Sequence, residues 1–151
     1  MIQSVAGLLR ARVSNDKLSL ALSNKIDALG HAQAAVREFL DKLGISERRI
    51  FETELVFEEL FTNTVRHGYA DRALHWIEVT LHLTTEAIVM TFDDGAQRFD
   101  PTAAELPVLP TTLDEAKIGG LGLTLVHRTA RDIHYERVDG RNRLHLSIPR
   151  D

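Results

Sequence analysis

The sequence predicts an α+β two-layer sandwich, a mixed, mostly antiparallel sheet with its helices kept to one face. Three observations point there. Five short runs alternate apolar and polar residues, and four of them fall into two pairs joined by turn-forming segments. Two longer stretches between the first run and the first pair repeat apolar residues at helical spacing. A third helical stretch, starting directly from a cluster of glycines, precedes the last pair.

Taken in order, Leu18-Ser19-Leu20-Ala21-Leu22 alternates and reads as the first strand. Residues near Ile26 to Leu43 read as a helix, ended by Gly44 in the position that favours a left-handed cap. Ser46 opens a second, longer helix that Gly68 and Tyr69-Ala70-Asp71 close. On that helix Ile50, Phe57, Leu60, Phe61 and Thr64 form the stripe that buries. Trp76 to Leu83 and Ala87 to Phe92 form a hairpin around Thr84-Thr85-Glu86. From Asp93 to Gly120 no period is sustained; Pro101, Pro107 and Pro110 fall here, and a connection of this length suggests a functional loop. Leu121 to Ala130 reads as a helix, and Ile133 to Val138 with Arg143 to Ile148 as a hairpin around Asp139-Gly140-Arg141-Asn142.

Composition narrows the classes. The 151 residues suit one domain, taken as 1–151, large enough to bury a core. A formal net charge of -4 argues against direct nucleic-acid binding, which relies on clustered Lys and Arg. The absence of cysteine excludes disulfides, thiolate metal sites and a cysteine nucleophile. Val5 to Leu9 is too short an apolar run for a secretory segment or a membrane span, so no membrane association and a cytoplasmic location are expected.

Three motifs carry chemistry. Glu59 and Asn63 stand four residues apart on the second helix and share a face, with Arg66 continuing the stripe. A carboxamide oxygen suits a hard cation, and a carboxylate beside it can deprotonate a nucleophile; the plain alternative is a solvated helix face. Asp93-Asp94-Gly95, followed by Phe99-Asp100-Pro101, is either a polar turn or a strand-end carboxylate offered to an exocyclic amine, with a glycine making room for a flat base. Gly119-Gly120-Leu121-Gly122-Leu123 exposes backbone N–H groups at a helix start, where an anion such as phosphate is favoured, and Lys117 precedes it. Neither a P-loop nor a G-x-G-x-x-G element is present. The seven histidines show no metal-ligand spacing, and the serines show no hydrolase arrangement.

In this order the motifs resemble the N, G1 and G2 boxes of the Bergerat-fold (GHKL) ATPases, most closely the RsbW-type anti-sigma factor serine/threonine kinases. Glu59-x-x-x-Asn63 with His67-Gly68-Tyr69 carries the resemblance first. Asp93-Asp94-Gly95 with Phe99-Asp100-Pro101, the 119–123 glycines and the closing Gly140-Arg141-Asn142-Arg143-Leu144 complete it. It spans roughly Leu18 to Pro149. The resemblance implies ATP and Mg2+ as cofactors, with Asn63 as the metal ligand and Glu59 as general base on a protein hydroxyl. It implies that Asp93 reads the adenine amine and that Gly95 admits the base. Arg66, His67, Phe99 and Lys117 would add to the nucleotide site, and Gly119, Gly120, Leu121, Gly122 and Leu123 would cradle phosphates under a lid at roughly 96–118. Ser147 would bring a hydroxyl near the adenine. A STAS-domain anti-anti-sigma protein would be the substrate, a sigma factor or another regulator the sequestered target, and a homodimer the assembly. The 96–98 segment departs from the family pattern by running about one residue long before Phe99, and the second G1 glycine is missing. A non-catalytic nucleotide-binding module that only sequesters partners is the competing expectation; retention of both Glu59 and Asn63 favours the kinase.

Overall fold

The computed structural model describes residues 2–102 and 121–151, and side chains from Ser4 to Thr102 and from Thr124 onward. Seven strands form one sheet: β1 (Ile2–Val5), β2 (Leu9–Val13), β3 (Lys17–Ser23), β4 (Trp76–Leu83), β5 (Ala87–Asp94), β6 (Arg131–Val138) and β7 (Arg141–Pro149). Their spatial order is β1-β2-β3-β4-β5-β7-β6, and every neighbouring pair is antiparallel. Among the described residues the helices are α1 (Ala28–Lys42), α2 (Glu47–His67) and α3 (Leu121–Thr129).

Strand alternation decides which face the helices cover. Leu18, Leu20 and Leu22 of β3, Ile77, Val79 and Leu81 of β4, Ile88, Met90 and Phe92 of β5, and Leu144, Leu146 and Ile148 of β7 are all buried in one core. Val36, Phe39 and Leu40 of α1 and Ile50, Phe57, Leu60 and Phe61 of α2 fill the same core. The stripe expected on α2 is thus the buried one, with the Phe57 and Phe61 rings 5.9 Å apart. Thr64 stays at its edge and donates back to the Leu60 carbonyl at 3.0 Å.

The helix ends follow their sequence signals. Ser46, extended at φ -63° and ψ 150°, accepts the Arg49 N–H and caps α2. Gly44 takes φ +75°, the left-handed conformation that lets the chain turn out of α1.

Two hairpins are built differently from expectation, and both differences bear on the site. Strand β5 runs to Asp94 instead of stopping at Phe92, and β7 begins at Arg141 instead of Arg143. Between β6 and β7 the loop is only Asp139 and Gly140, both at positive φ (52° and 76°), a two-residue turn matching the strand twist. The extended ends pair: Asp94 faces Asn142, and Asp93 faces Arg143. At the other end of the sheet, β1 and β2 form a hairpin that the apolar run Val5 to Leu9 had concealed.

Candidate nucleotide site

A cavity of about 350 Å³ opens between the C-terminal half of α2 and the ends of β5, β6 and β7, within the size range of small-molecule sites. Leu60, Phe92 and Leu144 give it apolar walls. Asn63, Thr64, His67 and Gly68 line it from α2, and Ala96, Gln97, Arg98, Phe99 and Pro101 from the segment after β5. Asp94, Asn142 and Tyr135 supply its polar groups at the sheet end.

Close approach of two backbones shapes one wall. The Gln97 N–H donates to the Gly68 carbonyl at 2.8 Å. A Cβ on Gly68 would lie 2.7 Å from the Ala96 Cβ and 2.6 Å from the Thr64 carbonyl oxygen, so only glycine lets the 95–97 turn dock there.

The buried carboxylate in the cavity is Asp94, 4% exposed. Its Oδ1 accepts the Ala96 N–H and the Asn142 Nδ2–H, each at 3.0 Å. Among the described residues Oδ2 has no hydrogen-bond donor. Burial pushes the carboxyl above the usual range, while the bonds from Asn142 and Ala96 and the charge of Arg141 pull it back. The Tyr69 phenol is pushed up to about 12, first by burial and then by the Asp94 charge. Its oxygen is buried without a hydrogen-bond partner among the described residues, and its ring stacks 4.3 Å from that of His75.

Asp93 does not line this cavity, contrary to the expectation that it faces the adenine. Successive strand residues point to opposite faces, so Phe92 and Asp94 face the helices and Asp93 faces the open side of the sheet. There its carboxylate accepts from Arg141 Nε and, at 3.0 Å, from Arg143 Nε. Gly95 is also displaced from its expected role: its absent Cβ would meet Arg141 Nη1 at 3.4 Å, and the residue that enters the cavity wall is Ala96. Ser147 is on the open face too, with its hydroxyl donating to the Arg131 carbonyl at 3.2 Å and to Asp132 at 3.3 Å. That hydroxyl is committed away from the cavity.

Of the expected nucleotide-site residues, Asn63, His67 and Phe99 line the cavity together. Glu59 sits one helical turn before Asn63, half-buried, and neither its carboxylate nor the Asn63 amide has a hydrogen-bond partner among the described residues. Burial pushes the Glu59 carboxyl up, the Glu58 charge adds to this, and the Arg66 cation opposes it. Arg66 is exposed and lies outside the cavity lining. Lys117, Gly119 and Gly120, with most of the 96–118 segment, lie outside the described residues. Leu121, Gly122 and Leu123 form the first turn of α3, and His127 further along shares a hydrogen bond with the Pro101 carbonyl at 3.1 Å.

Sequence reasoning missed Asp94, Asn142, Tyr135, Gly68 and Ala96 as site residues. The signal was the alternation itself. Ile88, Met90 and Phe92 extended by two places reach Asp94, and Ile148, Leu146 and Leu144 extended backwards reach Asn142.

A one-sided antiparallel sandwich with a polar-ended cavity beside a helix carrying E-x-x-x-N defines a Bergerat-type nucleotide-binding domain. Residues 22–148 match the histidine kinase-like ATPase domain, and the chain belongs to that family. It is 33% identical over 102 residues to the serine/threonine-protein kinase BtrW of Bordetella bronchiseptica, covering 68% of this chain and 72% of that one. It is 24% identical to the serine-protein kinase RsbW of Listeria innocua over 123 residues, 79% of this chain and 78% of the relative. The anti-sigma F factor of Clostridium novyi is 20% identical over 127 residues, 84% and 89% of the two chains. Family membership makes ATP the ligand of the domain. Among the described residues no helix is long and apolar enough to cross a membrane.

Proposed function

We infer that this protein is an ATP-dependent serine/threonine-protein kinase of a bacterial partner-switching system. Its substrate is a serine or threonine of a STAS-type anti-anti-sigma protein, and in the alternate state it sequesters a sigma factor or another regulator. The observation that carries this reading is Asn63 at the cavity with Glu59 one helical turn before it, outside the lining, both side chains without a hydrogen-bond partner among the described residues, beside a buried carboxylate, Asp94, with one oxygen likewise without a donor among them. The names of the relatives as kinases and anti-sigma factors support it.

In this account the apolar walls Leu60, Phe92 and Leu144 take the adenine, and Asp94 Oδ2 accepts its exocyclic N–H. Asn63 meets the demands of Mg2+, an oxygen donor with no competing hydrogen bond among the described residues, and Mg2+ commonly takes few protein ligands beside phosphates and water. When bound, the cation neutralises charge on the phosphates. Glu59 takes the proton of the attacking hydroxyl; the new O–P bond forms at the γ-phosphorus as the bond to the ADP oxygen breaks. A carboxyl held above its ordinary range by burial is a stronger base for that proton than an exposed one. The phosphate-cradling roles of Lys117 and the 119–123 glycines, a lid at 96–118 and a homodimer belong to the same proposal.

Calorimetric titration of the full chain with ATP, with and without Mg2+, tests the reading. ATP should bind more tightly with Mg2+, and Asn63→Ala should remove that difference. No ATP binding in either condition would overturn it.

A further inference from the structure

Asn142, from the closing motif, is 7% exposed and is the most heavily bonded side chain at the site. Its Oδ1 accepts from three donors: the Tyr135 hydroxyl at 2.5 Å, Arg137 Nη1 at 3.0 Å and the Phe99 N–H at 3.3 Å. Its Nδ2 donates to Asp94 Oδ1 at 3.0 Å, to the Gln97 carbonyl at 2.8 Å and to the Ala96 carbonyl at 3.4 Å. The amide can be oriented only one way. Reversed, its NH2 would face a phenol, a guanidinium and a backbone N–H, while its oxygen would face a carboxylate and two carbonyls.

Two consequences follow for Asp94. With Ala96 N–H and Asn142 Nδ2–H both on Oδ1, the carboxylate is held in one orientation, and Oδ2 is the oxygen left without a donor among the described residues. Both bonds favour the ionised form and oppose the upward push of burial, and in that form Oδ2 is an acceptor. A base carrying an exocyclic amine satisfies such an oxygen; a base carrying a carbonyl in the same place opposes it.

We propose that Asn142 is the positioning residue that fixes Asp94 as a one-sided acceptor and thereby sets the preference of the site for a 6-amino over a 6-oxo purine. Asn142 also ties the 96–99 turn to the end of β7, through Phe99 N–H and the carbonyls of Ala96 and Gln97. The inference rests on the nucleotide reading given above.

The test separates the two halves of the amide. Asn142→Asp keeps an oxygen for Tyr135, Arg137 and Phe99 but replaces the NH2 with a second carboxylate oxygen facing Asp94. Two carboxylates at that distance share a proton, so Asp94 becomes able to donate. The ratio of ATP to ITP affinity, measured by titration on parent and variant, should fall by at least tenfold in Asn142→Asp. Hydrogen exchange of the Phe99 amide should stay slow in Asn142→Asp and accelerate in Asn142→Ala, which removes both halves. An unchanged ATP-to-ITP ratio in Asn142→Asp would overturn the proposal, as would unchanged Phe99 exchange in Asn142→Ala. If Asn142→Asp does not fold, Tyr135→Phe replaces it; loss of one orienting donor should lower the same ratio, and an unchanged ratio again refutes the proposal. Failure of the parent to bind ATP would instead refute the nucleotide reading, and the exchange arm would still decide the clamp.

Discussion

Replacing Asp94 by Asn and, separately, Asp93 by Asn sets two adjacent carboxylates against each other. In Asp94→Asn the Ala96 N–H and Asn142 Nδ2–H still require an oxygen at Oδ1. The new NH2 must therefore take the place of Oδ2, where it meets the amine of the base donor to donor. One charge-assisted hydrogen bond is lost, worth about 1.5–3 kcal/mol, which corresponds to ATP affinity weaker by roughly 10- to 150-fold. Folding should not suffer, because the change removes a buried charge that burial already disfavours. Asp93→Asn removes the charge that Arg141 and Arg143 share and one of its two acceptor oxygens; because Asp93 is only 8% exposed, the change should lower the melting temperature, outside the cavity though it lies. Its ATP affinity should stay within about twofold of the parent, as expected for a change outside the cavity. Calorimetric titration of the three proteins, with thermal melts as a folding control, reads this out. A larger loss of ATP affinity in Asp93→Asn than in Asp94→Asn would refute the alternation argument.

Three further outcomes are expected. Gly68→Ala should destabilise the fold by about 1–3 kcal/mol through overpacking and weaken ATP binding, because its Cβ meets Ala96 Cβ at 2.7 Å and the Thr64 carbonyl at 2.6 Å. Adding Ala96→Gly should restore part of that loss in urea denaturation, and no restoration would contradict the contact. The acid limb of the kcat/KM pH profile should lie above the ordinary carboxylate range, since burial and then Glu58 raise Glu59. Glu58→Gln should move this limb down and Arg66→Ala should move it up; shifts in the opposite sense would exclude Glu59 as the titrating base. Tyr69 has a folded-state pKa raised from 10.0 to about 12, so the stability from its protonated form is complete below 10.0 and is lost as pH rises through about 12. Denaturant melts at rising alkaline pH should show this slope, and Tyr69→Phe should remove it without costing a hydrogen bond to any described residue.

The layer arrangement was legible because the signals behind it are local. The Gly44 cap, the Ser46 cap and the apolar stripe through Ile50, Phe57, Leu60 and Phe61 each depend on neighbours a few residues away. The β1–β2 hairpin was harder to see. Leu9-Arg10-Ala11-Arg12-Val13 alternates, but the run is five residues long and its central inward residue is only alanine. The α2 half of the site was legible for the same reason as the helix, since the spacing of Glu59 and Asn63 is set by the helix itself. The sheet half was not, because its geometry depends on where the strands end. With β5 stopped at Phe92 and a four-residue turn placed at 139–142, Asp94 and Asn142 became loop residues without a face. The two-residue turn at Asp139-Gly140 extends both strands, and cross-strand pairing then turns Asp94 and Asn142 inward together.

The central claim is phosphoryl transfer to a protein hydroxyl with Glu59 as the base. Its most direct measurement is the intact mass of the protein encoded beside this one, incubated with Mg-ATP and either the parent or Glu59→Gln. The account predicts the added mass of one phosphoryl group with the parent and none with Glu59→Gln, although the variant still binds ATP in a parallel titration. Equal phosphorylation by Glu59→Gln would contradict Glu59 as the base. ATP binding by the parent without phosphorylation of that protein would contradict the kinase reading for this pair.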